Sequence, residues 1–277
     1  MKISVILPAA GKSTRFGEAG KSKIETELAG RPVFVRSIQL FNNHPDVGRV
    51  IIAVRPDQLD AFKLRWGDQL AFHHVEAVAG GMTERWETVR NALLRINDDT
   101  THIAVHDAAR PLTSRKLIDR VFAAAADHNA VIPGSPINAT LKRVADIEGG
   151  PQVAADPLDA ILGSAGKPDA PSRRVVETVS RANVVEVQTP QVFEIDLLRR
   201  AYAQIEAGKV DPSVITDDAG LVEAMGEPVV VVDGESTNLK ITRPEDIQLA
   251  EAILSVTMRQ DKAQAARKRL FADEDDE

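Results

Sequence analysis

The segment Pro8-Ala9-Ala10-Gly11-Lys12-Ser13-Thr14-Arg15-Phe16-Gly17 is the first stretch of this chain suited to chemistry. Small residues let backbone approach a ligand closely. Successive N–H groups can then point at phosphate oxygens, with Lys12 and Arg15 adding positive charge. The glycine spacing is neither that of a Walker A loop nor G-x-G-x-x-G, so an ordinary strand-to-helix turn is equally consistent. Lys21 and Lys23 follow closely, and this concentration of cations after a first strand favours an anion. A second stretch is Val105-His106-Asp107-Ala108-Ala109-Arg110-Pro111. Asp107 could ligate a hard cation such as magnesium, hold a substrate hydroxyl, or cap the next turn. His106 suits a base or ligand role but equally a structural one. His102 lies four residues earlier, facing the same side, so a two-His metal site is conceivable, though no third ligand is near. Further along lie Thr189-Pro190-Gln191, then Thr216-Asp217-Asp218, where Thr216 can cap a helix. Asn238-Leu239-Lys240-Ile241-Thr242-Arg243-Pro244-Glu245-Asp246 closes the series. There Thr242 and Glu245 have capping-box spacing, which accounts for the polar residues around Pro244 but not for Lys240.

Elements that would position these residues follow from the hydrophobic pattern. Ile3–Leu7, Arg49–Val54, Phe72–Val78, His102–Val105, Val131–Ile132, Val184–Val187 and Val229–Val232 read as short buried strands. Val33–Phe41, Leu59–Trp66, Thr83–Ile96, Arg115–Ala126 (capped by Ser114), Glu194–Ala207, Asp218–Ala224 and Pro244–Leu254 read as helices. Their alternation predicts an α/β fold with a mainly parallel sheet flanked by helices. Ligands in such folds sit beyond the carboxyl ends of strands, where the unusual residues fall. Residues 138–181 are too rich in Gly and Pro for a core element and read as an excursion, a β-arm plus a mobile loop. The end of the chain, from Met258, reads as a frayed helix running into an acidic tail.

Composition narrows the function classes. The chain has 277 residues, with 34 Lys and Arg against 41 Asp and Glu, a net charge of −7. Zero Cys excludes disulfides, thiolate zinc sites and a thiol nucleophile. No apolar run reaches the ~18 residues a membrane span requires. The start shows no signal-peptide pattern, and an acidic chain is a poor general binder of nucleic acid, so a cytoplasmic protein without nucleic-acid or membrane partners is expected.

In order, these stretches resemble the 2-C-methyl-D-erythritol 4-phosphate cytidylyltransferases. The matching pieces are Pro-Ala-Ala-Gly-x-x-x-Arg at 8–15, Leu-Ala-Gly-Arg-Pro-Val at 28–33 and Val-His-Asp-Ala-Ala-Arg-Pro at 105–111. Thr140-Leu141-Lys142-Arg143, Thr189-Pro190-Gln191, Thr216-Asp217 and the segment 238–246 continue the match. The first motif is shared by many sugar nucleotidyltransferases, whereas the His-Asp-Ala-Ala-Arg-Pro and Lys-x-Thr-Arg-Pro-Glu-Asp motifs are more specific. The resemblance implies a Rossmann-like nucleotidyltransferase type A fold with a protruding β-arm. It further implies a catalytic domain over 1–255, an inserted dimerisation arm and mobile loop at 136–183, a charged tail at 256–277, and a homodimer. The implied reaction joins CTP and a polyol phosphate, 2-C-methyl-D-erythritol 4-phosphate, to give the 4-diphosphocytidyl alcohol and pyrophosphate, with Mg2+ held mainly through the CTP phosphates rather than by protein ligands. Arg15 and Lys23 would stabilise the transition state, and Arg181 and Lys240 would position the substrate phosphate. Pro8, Ala9, Ala10, Gly11, Gly81 and Thr88 would line the nucleotide site. Asp107, Arg110, Thr140, Thr189 and Asp217 would hold the polyol phosphate, a second subunit's arm completing the pocket.

Departures from the family pattern leave alternatives open. Lys21-Ser22-Lys23-Ile24 replaces the usual Pro-Lys-Gln, so Lys21 competes with Lys23 as the catalytic lysine. Met82 and Trp86 alter the base-pocket motif, and the arm carries an insertion around Ala155–Arg174. A cytidylyltransferase for another polyol phosphate, such as ribitol 5-phosphate, is the nearest rival. A catalytically silent nucleotide-binding protein is a rival of another class, disfavoured by the retained Arg15, Lys23 and Lys240.

Overall fold

The structure, a computed structural model, describes residues 1–11, 16, 22–96, 99–146 and 173–272, with side chains to 260. The chain divides into two units, Met1–Ser135 with Val187–Glu277, and Pro136–Glu186. In chain order the elements are β1 (Ile3–Pro8), β2 (Glu27–Leu28), β3 (Arg31–Pro32), α1 (Val33–Gln39), β4 (Val47–Val54), α2 (Leu59–Phe72), β5 (Val75–Ala79), α3 (Arg85–Leu93), β6 (His102–Val105), α4 (Arg115–Ala125) and β7 (Ala130–Pro136). Next come β8 (Leu141–Asp146), β9 (Arg173–Val179) and β10 (Val185–Val187). The larger unit then resumes with β11 (Gln191–Glu194), α5 (Ile195–Glu206), α6 (Asp218–Ala224), β12 (Val230–Asp233) and α7 (Glu245–Ala272).

The sheet of the larger unit runs β5-β4-β1-β6-β11-β7, with β12 pairing β7. Neighbours are parallel except β11, which is antiparallel to both β6 and β7. The apolar runs are continuous because both faces of the sheet are covered. Ile3, Val5 and Leu7 of β1 face one core with α1, α2 and α4, while Ile6 faces the other with α3, α5 and α6. β4 repeats the alternation, with Val50, Ile52 and Val54 on the first face and Ile51 and Ala53 on the second. Burying each such aliphatic side chain is worth roughly 1.5–3 kcal/mol. The chain leaves β1 for β4 on one side, while β6 lies on the other. A crevice therefore opens beyond the carboxyl ends of β1 and β6.

Several boundaries differ from the sequence reading. α2 continues to Phe72, which is 79% exposed; the helix buries Phe62 and Leu70, and Phe72 is an apolar residue on its outer face rather than a strand start. β11 has no signature in the hydrophobic pattern because its four residues are held by non-local pairing between two other strands. α7 runs past Leu254 to Ala272 without a break, and its sequence contains neither Gly nor Pro. The helix cap at 217 belongs to Asp217, whose Oδ1 accepts from Gly220 N at 3.0 Å, not to Thr216. At the start of α7 it is Asp246, not Glu245, that accepts from the Thr242 and Arg243 N–H groups, at 2.7 and 2.8 Å.

In the smaller unit β8 and β9 form an antiparallel pair, with Leu141 opposite Val179 and Asp146 opposite Arg173. Residues 147–172, which include most of the insertion at 155–174, lie outside the described residues, as does the acidic tail from 273. Among the described residues no helix is long and apolar enough to cross a membrane.

Candidate active site

Backbone from Pro8 to Gly11 leaves β1 with the Ala9 N–H donating to Ala53 O at 2.8 Å. These residues form one wall of a cleft of about 270 Å³. Lys23, Ile24, Thr83, Glu84, Arg85, Thr88, Asp107, Ala108, Ala109 and Lys240 complete it, so the loops after β1, β5 and β6 and the segment before α7 meet in one place. Lys23 lies in the cleft wall; Lys21 and Arg15 lie outside the described residues.

Asp107 organises the floor. Its Oδ2 takes Lys240 Nζ at 2.8 Å and Arg110 Nε at 3.4 Å, and its Oδ1 lies 3.8 Å from Arg85 Nε. Burial alone would raise the Asp107 pKa. Lys240, then Arg85 and Arg110, outweigh it and hold the carboxyl well below the usual carboxylate range. Arg110 is buried and donates from Nη1 to Asn238 O at 2.7 Å. Asn238 is itself fixed, accepting from Thr113 Oγ1 at 2.8 Å and donating to Thr189 O at 2.9 Å, while Ile241 N donates to Ala109 O at 2.9 Å. This buried lattice delivers Lys240, whose side chain is 38% exposed, to the cleft. It is the structural context that the capping pattern left unexplained.

His106 is fully buried. A carbonyl can only accept, so Nε2 carries the proton and donates to Arg110 O at 3.0 Å. Nδ1 then accepts from the Thr189 hydroxyl at 3.0 Å, and that oxygen accepts from Asp107 N at 3.1 Å. Burial lowers the His106 pKa to about 4, so the ring is neutral at physiological pH. Both nitrogens are used in holding the Asp107 loop. Thr189 therefore sits behind the floor, as does Arg110. Asp217 has both oxygens engaged by the cap and by Gln191 Nε2 at 2.7 Å.

At the other wall the Thr88 hydroxyl accepts from Gly81 N at 3.0 Å and donates to Glu84 O at 3.2 Å. A Cβ on Gly81 would lie 2.5 Å from Glu87 Cβ, so only glycine fits there. Glu87 accepts from the N–H groups of Thr83 and Glu84, both at 3.2 Å, which hold its carboxyl below its ordinary range. Thr140 and Arg181 belong to the smaller unit, where both are exposed and Arg181 donates to Asn138 O.

Arg85 and Tyr202, and the role of Asp218 as their common partner, escaped the sequence reading. Arg85 Nη1 donates to Asp218 Oδ2 at 2.6 Å, and the Tyr202 hydroxyl donates to Asp218 Oδ1. Burial works against the Arg85 charge; Asp218 and then Asp107 outweigh it and raise its pKa. The only sequence signal was an arginine inside the base-pocket motif. Its hydrogen-bond partner Asp218 lies more than a hundred residues away.

No group of three or more His, Cys, Asp or Glu side chains among the described residues is arranged to hold a metal. Asp107 is already committed to cations, so these residues do not fit a protein-held ion.

A small-residue loop after β1 and two loop lysines converging at the switch point of an α/β sheet define a nucleotidyltransferase-type site. The family model of IspD, 2-C-methyl-D-erythritol 4-phosphate cytidylyltransferase, matches residues 3–154 and 160–256, and the chain belongs to that family. A relative of that name from Frankia casuarinae is 38% identical over 96% of this chain and 86% of its own length. One from Rhodopirellula baltica is 36% identical, covering 91% and 95%. Among solved structures, the 2-C-methyl-D-erythritol 4-phosphate cytidylyltransferase of Thermus thermophilus matches with TM-score 0.67 and 28% identity, over 92% of this chain and 100% of that one. The 4-diphosphocytidyl-2C-methyl-D-erythritol synthase of Anaerococcus prevotii matches with TM-score 0.69 and 26% identity, covering 92% and 96%.

Proposed function

We propose that the chain transfers a cytidylyl group from CTP to 2-C-methyl-D-erythritol 4-phosphate, giving the 4-diphosphocytidyl alcohol and pyrophosphate. A phosphate oxygen of the alcohol attacks the α-phosphorus of CTP in line, and the bond to the pyrophosphate oxygen breaks. Little proton transfer is needed. The demands are alignment of two polyanions and neutralisation of developing charge.

The observation that carries this reading is that Lys23 and Lys240 share one cleft with the Pro8–Gly11 backbone. In it, the N–H groups of Ala10 and Gly11 cradle the triphosphate and Lys23 meets the charge growing at the α-phosphorus. Lys240 draws the attacking phosphate in. Each fixed cation contributes about 3–4 kcal/mol to the transition state. Thr88, braced by the Gly81 N–H, stands in the wall for the base, and Asp107 meets the polyol hydroxyls. The family resemblance assigns Arg15 to the transition state with Lys23, and Thr140 and Arg181 to the polyol phosphate. Mg2+ arrives bound to the CTP phosphates. The protein works as a cytoplasmic homodimer through the smaller unit, whose Val144, Val175 and Val176 are exposed apolar residues on a two-stranded hairpin.

Steady-state turnover with CTP, magnesium and pyrophosphatase, comparing methylerythritol phosphate with ribitol 5-phosphate, tests the reading. Phosphate release with the first substrate and little with the second is expected. The reverse preference would refute the substrate assignment.

A further inference from the structure

Arg85 occupies the first turn of α3 with its guanidinium between two carboxylates from distant parts of the chain. Asp218 is 1% exposed and is held by the Tyr202 hydroxyl on its other oxygen. Asp107 stands at the cleft floor with Lys240 and Arg110 on Oδ2, so it is neutralised without Arg85. Keeping a further ion pair here, with Asp218 buried and Arg85 half-buried, is costly, and removing one partner of such a pair more so. The pair therefore asks for a role other than charge balance. Arg85 faces Oδ1, the oxygen that Lys240 does not use. A carboxylate whose field is shared among more cations binds each of them less tightly.

We propose that Arg85, anchored by Asp218 and Tyr202, is a positioning residue that shares the Asp107 carboxylate with Lys240 and so leaves the Lys240 ammonium available to an incoming phosphate. Without Arg85, Asp107 draws Lys240 down onto itself. The inference rests on the reading in which Lys240 meets the polyol phosphate.

The double variant Arg85→Gln/Asp218→Asn removes both charges of the pair and preserves the net charge. Competitive acylation with acetic anhydride, read by peptide mass spectrometry, follows the availability of the Lys240 amine without any substrate. Acylation of Lys240 is expected to slow several-fold relative to wild type, with Lys23 unchanged. In turnover, KM for the polyol phosphate should rise about tenfold while KM for CTP stays within about twofold. A merely structural role would lower the folded fraction and the apparent kcat and leave both KM values and the Lys240 labelling alone; that result overturns the proposal. If the double variant does not fold, Tyr202→Phe gives the same measurement. Asp218 then draws Arg85 away from Asp107, and a smaller slowing of Lys240 labelling is expected, no slowing overturning the proposal. Wild-type protein inactive on every polyol phosphate would refute the proposed function instead, while the labelling ratio still decides the role of Arg85.

Discussion

Acidification should destabilise this protein through His106, and the size of the effect follows from its burial. In the unfolded chain the ring takes up a proton near its ordinary value, whereas in the fold it does so only at about 4. Between these values the unfolded state binds more protons, so stability is full above the unfolded value, falls as the pH drops, and levels off below the folded one. The full difference corresponds to about 3 kcal/mol, of which about 2 kcal/mol is lost between pH 7 and pH 4.5. His106→Gln is the informative perturbation. Its amide nitrogen can replace Nε2 in donating to Arg110 O, but it does not titrate, and it gives up the acceptor for Thr189. Urea unfolding at pH 7 should show the variant about 1 kcal/mol less stable. At pH 4.5 the variant should be the more stable, because it escapes the proton-linked loss. His73 and His102, whose pKa values burial also lowers, are common to both proteins and cancel in the comparison. Parallel stability curves for the two proteins would refute the buried, neutral assignment. A thousand-fold fall in kcat for a well-folded variant at pH 7 would refute the structural role and return His106 to the chemistry.

The remaining predictions concern the cleft. Lys240→Ala and Lys23→Ala should each lower kcat about 10²–10³-fold, because each removes a fixed cation from the transition state. Lys240→Ala should leave thermal unfolding nearly unchanged, since Lys240 is 38% exposed and Asp107 keeps Arg110 at 3.4 Å; calorimetry checks it. Asp107→Asn leaves Arg85, Arg110 and Lys240 without their shared carboxylate and should cost about 3–5 kcal/mol in denaturant titration as well as activity. Gly81→Ala forces a Cβ to 2.5 Å from Glu87 Cβ and should raise KM for CTP while costing about 1–3 kcal/mol of stability.

Local pattern determined a good deal of this protein. Continuous apolar runs announced parallel strands covered on both faces, because burial on two sides removes the alternation that a one-sided strand shows. The small residues after β1 and the lysines at 23 and 240 were visible as chemistry, since neither packing nor capping explained them. Where an interaction is local, as in the Ser114 cap accepting from Leu117 N at 3.0 Å, sequence spacing suffices. The tertiary structure decided the rest. Whether His106 was a base or a brace depended on Thr189, eighty-three residues away, and on the exclusion of water from its ring. The union of Arg85 with Asp218, and of Asp107 with Lys240, arises because a twisted sheet brings the ends of separate strands and loops to one rim. Coulomb attraction depends on distance in space, and no spacing along the chain encodes it.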